Sequence, residues 1–220
     1  YPSTTAEILE FGLFGWALSR YSGLYVGMKC VTDTLDLSTS VNLPDIHKPL
    51  VLPADFDYST GELNLRPYQA QLVQESLVFN RRLPAAQAFV RANKLDRVVI
   101  DAPVRKLSIV SAGKAYLDVR QALDDLGMDL QRCAKIGLRV YKPGMIWPLD
   151  PVSAREALVG SREVLVVEEK RPVVEDQLAT IFYSGGSDGP VLTGKRDPQG
   201  ATLLPLTGEL TPSLVREAII

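Results

Sequence analysis

The run from Ala134 to Leu178, AKIGLRVYKPGMIWPLDPVSAREALVGSREVLVVEEKRPVVEDQL, constrains the fold more than any other part of the chain. It holds two strand patterns, Ile136-Gly-Leu138-Arg-Val140-Tyr141 and Val164-Leu165-Val166-Val167, of the apolar kind that a sheet covered on both faces requires. Between them Trp147-Pro148-Leu149-Asp150-Pro151 forms a turn that opens a helix, with Asp150 as the capping residue and Pro151 at its first position. Strand, helix and strand in this order predict a right-handed crossover in a parallel sheet.

The same alternation extends both ways. A short helix is expected over Pro84–Asn93, a short strand over Arg97–Ile100 and a strand over Lys106–Val110. Gly113 turns the chain into a helix over Lys114–Leu126, whose stripe is Val119, Ala122, Leu123 and Leu126 and whose stop is Gly127. After the second strand of the crossover come a helix near 173–183, a strand at Pro190–Thr193 and a closing helix opened by Thr211-Pro212. This order predicts an α/β fold, a doubly wound, mostly parallel sheet flanked by helices.

The first 80 residues read differently. Thr4 or Thr5 caps a helix over 4–20 that is apolar on nearly every side, so it is expected to be buried against something large. Leu24–Val31 reads as a strand-like run. Pro44, Pro49, Pro53 and Pro67 then deny residues 43–80 a long helix or a central strand, and an extended linker is expected there. The expected organisation is an N-terminal helix–strand piece (1–42), a proline-rich linker (43–80) and an α/β domain (81–220). The start at Tyr1, without Met or a signal peptide, suggests a piece of a longer chain.

A net charge of −2 and a pI near 5.5 remove any chain-wide pull toward nucleic acid. No apolar run is long enough to suggest a membrane span. Cys30 and Cys133 lie far apart and form no ligand spacing; two reduced, buried thiols are expected, which suits the cytoplasm.

Signals of chemistry are few. Gly189-Pro190-Val191-Leu192-Thr193-Gly194-Lys195-Arg196 nearly spells a phosphate loop, but Arg196 stands where a magnesium-binding hydroxyl is needed, so a strand ending in a turn is expected. Val110-Ser111-Ala112-Gly113-Lys114 joins a strand to a helix, where such folds bind anions. It is either a tight turn or a ligand- or interface-facing loop using Ser111, Gly113 and Lys114. Glu168 and Glu169 end a strand at the functional edge of the sheet, for capping, for pairing with Lys170 or Arg171, or for acid/base work. His47, the one histidine, is expected at the surface. Asp124-Asp125 and Arg81-Arg82 read as solvated faces, Trp16 and Trp147 as core or interface aromatics, and 185–189 as a loop. On its residues alone the chain has no complete active site.

Several segments taken together resemble the indolepyruvate (2-oxoacid) ferredoxin oxidoreductases, above all their long fused bacterial form. They are EFGLFGWALSRYSG from Glu10, SAGKAYLDVRQAL from Ser111, KPGMIWPLD from Lys142, VVEEKR from Val166, Gly194-Lys-Arg196 and GELTP from Gly208. The resemblance implies a parent enzyme that uses thiamine diphosphate, Mg2+, [4Fe-4S] clusters and coenzyme A to convert a 2-oxoacid to an acyl-CoA and pass electrons to ferredoxin. It implies that 1–42 closes a pyrimidine-binding domain and that the α/β domain is similar to the transketolase C-terminal domain. It also implies a homodimeric parent, with other domains of the same polypeptide as partners. The family's Gly-Asp-Gly diphosphate motif and cluster cysteines have no counterpart; Ser187-Asp188-Gly189 is the nearest approach to the former. A structural and assembly role, with no cofactor bound by these residues and no activity of their own, is therefore expected. The alternative is a self-contained anion- or CoA-binding module built on Ser111, Gly113, Lys114 and Glu168.

Overall fold

The computed structural model describes residues 1–42, 48–57, 63–184 and 189–220. His47 and Ser187-Asp188 lie outside them, as do Pro44, Asp45, Ser59, Thr60 and Gly61 of the linker reading. The chain forms two compact units, Tyr1–Leu95 and Asp96–Ile220.

The first unit is helical. Helix α1 spans Thr5–Ser22, and the Thr4 hydroxyl oxygen accepts the N–H of Glu7 at 3.2 Å, as a cap should. Its inner face buries Phe14 and Leu18, and the Tyr21 ring packs 5.6 Å from that of Phe89. A short α2 spans Thr32–Leu35. Helix α3 (Gln71–Leu77) runs through a π turn (Val78–Arg82) into α4 (Leu83–Ala92), which buries Ala85, Ala86, Ala88, Phe89 and Val90. The irregular chain before α3 is fastened to these helices. Asn93 exchanges two hydrogen bonds with the backbone of Val51 (2.9 and 2.8 Å), Arg91 pairs with Asp55 at 2.8 Å, and Arg82 donates to Asn64 O at 3.1 Å.

Three expectations fail in this unit. Leu24–Val31 is extended but pairs with no strand, because a β pattern needs a ladder partner that the described residues do not supply. Residues 71–82 are helical, since Pro67 ends four residues short of α3 and the remainder holds only good or neutral helix formers. Arg82 is buried, not solvated.

The second unit is the doubly wound sheet. Strands β1 (Arg97–Ile100), β2 (Leu107–Ser111), β3 (Leu138–Lys142), β4 (Glu163–Val167) and β5 (Val191–Thr193) lie in the order β1-β3-β2-β4-β5. Only β1 is antiparallel, at one edge. Helices α5 (Gly113–Asp125) and α6 (Leu130–Ile136) connect β2 to β3, α7 (Pro151–Leu158) connects β3 to β4, α8 (Val174–Tyr183) connects β4 to β5, and α9 (Pro212–Ile219) closes the chain. Alternate strand residues feed two cores. Ile109, Leu138, Val140, Leu165 and Val167 pack with α5, α6 and α9, while Val110, Tyr141, Val164 and Val166 pack with α7 and α8. Caps set the helix starts: Asp150 accepts the Ser153 N–H at 2.9 Å, Asp129 that of Arg132 at 2.8 Å, and Thr211 that of Leu214 at 3.4 Å. Helix α6 was not expected. It takes Ile136 from the expected strand, which starts after Gly137, a left-handed stop with φ of 88°. Trp147 is 60% exposed and is no core residue.

Candidate functional site

In the strand order, β2 connects to β3 on one side, whereas β4, its other neighbour, connects outward to β5. The crevice above the carboxyl ends of β2 and β4 is thus the switch point of the sheet, where ligands bind in folds of this kind. Ser111 ends β2 and Glu168 follows β4, so all four residues singled out by sequence, Ser111, Gly113, Lys114 and Glu168, meet here. Gly113 has φ of 61°, a conformation that costs glycine little, and this turns the strand sharply into α5.

The polar atoms of these residues are engaged by the chain itself. The Ser111 hydroxyl donates to Val167 O at 2.8 Å, stitching the two strand ends together. The Lys114 ammonium reaches Asp118 at 3.3 Å and Glu209 at 3.2 Å and donates to Leu210 O. The Glu168 carboxylate accepts the N–H groups of Val173 (3.1 Å), Val174 (2.8 Å) and Glu175 (2.9 Å), so it fills the anion-binding end of α8. The strap from Leu204 to Leu210 crosses this edge with both end residues fully buried.

Two lysines that sequence reasoning did not select complete the arrangement. Lys195 donates to Glu168 O and, at 3.2 Å, to Pro205 O; Lys170 donates to Gly208 O at 2.7 Å. Three ammonium groups therefore hold the strap by its carbonyls. Gly194 makes the Lys195 contact possible, because a Cβ there would fall 2.4 Å from the Glu175 carboxylate, which accepts the Lys195 N–H at 3.0 Å. The near-miss phosphate loop was the available signal: its Gly194-Lys195 pair is used, but on the chain's own backbone.

Burial governs the ionisation here. It raises the carboxyls of Glu168 and Glu175 against the hydrogen bonds they accept, and raises Asp118 against Lys114. It lowers Lys195 against the pull of Glu168 and Glu175. At Lys114 burial acts downward, but Asp118 and Glu209 outweigh it and the net shift is upward. A second polar cluster, also missed, lies beside β3. Asp96 accepts from the Tyr141 hydroxyl at 2.9 Å and the Gly144 N–H at 2.8 Å, and burial pushes its carboxyl up to about 6. Burial likewise raises Tyr141, with the Asp96 charge beside it.

The residues do not fit the iron–sulfur clusters that the resemblance implies. A cubane cluster needs four thiolates, and the whole chain has two cysteines, Cys133 fully buried. Among the described residues no group of three or more His, Cys, Asp or Glu could hold a metal ion, and the α8 terminus that could take a phosphate already holds Glu168. No helix of the described residues is long and apolar enough to cross a membrane.

Comparison with known proteins agrees with the sequence signal. Residues 97–220 match the model of the indolepyruvate oxidoreductase domain. The chain is 28% identical over 222 residues to the indolepyruvate oxidoreductase subunit IorA of Methanothermobacter thermautotrophicus, covering 99% of this chain and 33% of that protein. The IorA of Methanothermobacter marburgensis gives 27% over 218 residues, with the same coverage. The chain thus spans about a third of the length of the curated relatives it matches. Among solved structures, a 2-oxoglutarate:ferredoxin oxidoreductase from Magnetococcus marinus, with 2-oxoglutarate, coenzyme A and succinyl-CoA bound, aligns loosely at a TM-score of 0.44 and 16% identity. That alignment covers 70% of this chain and 24% of that one. With more than half of its length matching the family model, the chain belongs to the indolepyruvate oxidoreductase domain family.

Proposed function

We propose that this chain is a structural and assembly part of a larger 2-oxoacid oxidoreductase of the indolepyruvate or arylpyruvate type, inactive by itself. The proposed parent oxidatively decarboxylates its 2-oxoacid to an acyl-CoA. It uses thiamine diphosphate, Mg2+, [4Fe-4S] clusters and coenzyme A held outside these residues, and reduces ferredoxin. It works as a cytoplasmic homodimer, with this chain packed among other domains of the same polypeptide. Within it, residues 1–42 belong to a preceding pyrimidine-binding domain, 43–80 to a connecting stretch, and 81–220 to a transketolase C-terminal-like domain.

The observation that carries this reading is the state of the switch-point crevice. Its serine, lysines and glutamate are spent on the chain's own backbone and carboxylates, leaving a rigid, strapped edge. Ser111, Gly113, Lys114 and Glu168 in this reading shape a surface for neighbouring domains. Calorimetric titration of the 220-residue chain tests it against the alternative of a CoA- or anion-binding module. The expected result is no heat of binding for coenzyme A or thiamine diphosphate. Binding of either below about 10 μM, roughly 7 kcal/mol, favours the module, and 2-oxoacid-dependent dye reduction by this chain alone overturns the assembly role.

A further inference from the structure

The loop between β3 and α7 is clamped at two points, and one clamp is ionisable. Its first half lies on Asp96. The Asp96 Oδ1 accepts the Gly144 N–H at 2.8 Å, the next amide, of Met145, bonds to the same carboxylate, and Oδ2 lies 2.9 Å from the Tyr141 hydroxyl. The second half lies on Gln177 of α8, whose side chain donates to Ile146 O at 2.8 Å and accepts the Leu149 N–H at 2.7 Å. The exposed Trp147 is carried between the two clamps, beyond the carboxyl end of β3.

The Asp96 clamp fits either protonation state. As a carboxylate it accepts from the hydroxyl and the two amides. As a neutral carboxyl it keeps the Gly144 bond on Oδ1 and gives a proton on Oδ2 to the Tyr141 hydroxyl, which accepts as readily as it donates. The neighbouring charges do not favour the ionised form. Asp150, at the start of α7, adds a second negative charge. Arg97 and Lys142 are ladder partners on the face opposite Tyr141, where the Lys142 ammonium lies 4.3 Å from the centre of the Tyr116 ring. Arg139, on the Tyr141 face, is engaged by Asp101 at 2.7 Å and by Ala157 O. An enclosed carboxylate next to another negative charge gains by reaching water.

We propose that residues 143–148 are a proton-controlled cover, latched onto Asp96 while its carboxyl is neutral and released, with Gln177 as the hinge, when the proton leaves to solvent. Burial raises the carboxyl from 3.8 to about 6 in the closed form, so closure binds the proton more tightly than opening does. The latch is at full strength below about pH 4 and weakens as pH rises through about 6. The open fraction grows by up to about a hundredfold over that interval and levels off above it. What the carboxyl end of β3 presents, Trp147 included, therefore depends on pH. The device uses residues of this chain alone and is independent of the parent-enzyme reading.

Hydrogen exchange of the 220-residue chain between pH 4 and 8 tests it, read as protection at the Gly144 and Met145 amides after correction for intrinsic rates. Leu165 in the middle of β4 serves as the marker of global unfolding. Protection of the two loop amides is expected to fall about a hundredfold from pH 4 to just above 6, then level, and to stay well below that of Leu165 throughout. Asp96→Asn, which keeps the shape but has no proton to lose, should make the profile flat. Gln177→Ala should lower protection at every pH and leave the shape of the profile unchanged. A flat wild-type profile overturns the cover, and so does loop protection equal to that of Leu165, which would mean that these bonds break only with the whole sheet. A decline that persists in Asp96→Asn overturns the assignment to this carboxyl. The wild-type profile decides by itself if a variant does not fold.

Discussion

The two units of this chain handle polarity in opposite ways. In Asp96–Ile220 apolar side chains fill two cores, and Ser111, Lys114, Glu168 and Lys195 at the sheet's carboxyl edge find partners in the same unit. In Tyr1–Leu95 the longest helix buries two glutamates and exposes two leucines and a tryptophan, and α3 has no buried residue at all. The second unit turns its apolar side chains inward, whereas the first leaves several of its own at the surface. The difference teaches that the presence of secondary structure does not say whether a segment has met its full set of neighbours.

The largest expected effect comes from breaking the complete unit. Leu165→Ala empties a fully buried position of β4 and should cost about 3–4 kcal/mol in urea unfolding. A loss under about 1 kcal/mol would mean that this core is looser than its burial implies.

The next effect is a pH dependence. The Asp96 carboxyl is raised from 3.8 to about 6 in the folded protein. The folded state therefore holds its proton more tightly, and this contribution is full below about pH 4 and lost as pH rises through about 6. The shift corresponds to at most about 3 kcal/mol. Asp96→Asn should flatten the stability profile between these limits, as measured by thermal melts across the range. A wild-type profile without that decline would show that Asp96 stays ionised.

Smaller still is the strap. Lys195→Met leaves the carbonyls of Glu168 and Pro205 without their donor and should destabilise by about 1–3 kcal/mol. Hydrogen exchange should rise chiefly over 204–210. The smallest effect tests the other side of the comparison: Leu13→Ala in this chain should change stability by less than about 0.5 kcal/mol. A large loss would mean that the outer face of α1 is already packed.

Local chemistry was the legible part of the fold. Thr4, Asp150-Pro151 and Thr211-Pro212 mark helix starts with side chains that act within three residues, and the strands from 97 to 193 announce themselves as apolar runs. Helix α6 escaped because its Asp129 cap and Gly137 stop bracket only seven residues, too few to show a period. The 24–31 run misled because strand character is realised only beside another strand. The position of Ser111 and Glu168 at strand ends was legible, but their partners were not. Topology brings Ser111 and Glu168 to one edge, but Lys114 finds Glu209 and Leu210 some 95 residues away, and no local pattern announces such a pair.

That long reach has a consequence for synthesis. During translation the upper rim of the sheet stays open until Leu210 has emerged from the ribosome, because the bond to Lys114 spans 96 residues. A nascent chain halted near residue 200 would hold all five strands yet lack Leu204, Leu210 and Val215, which complete the core on the α5 side. It would present that greasy flank to chaperones until residues 204–215, which follow β5 closely in sequence, cover it.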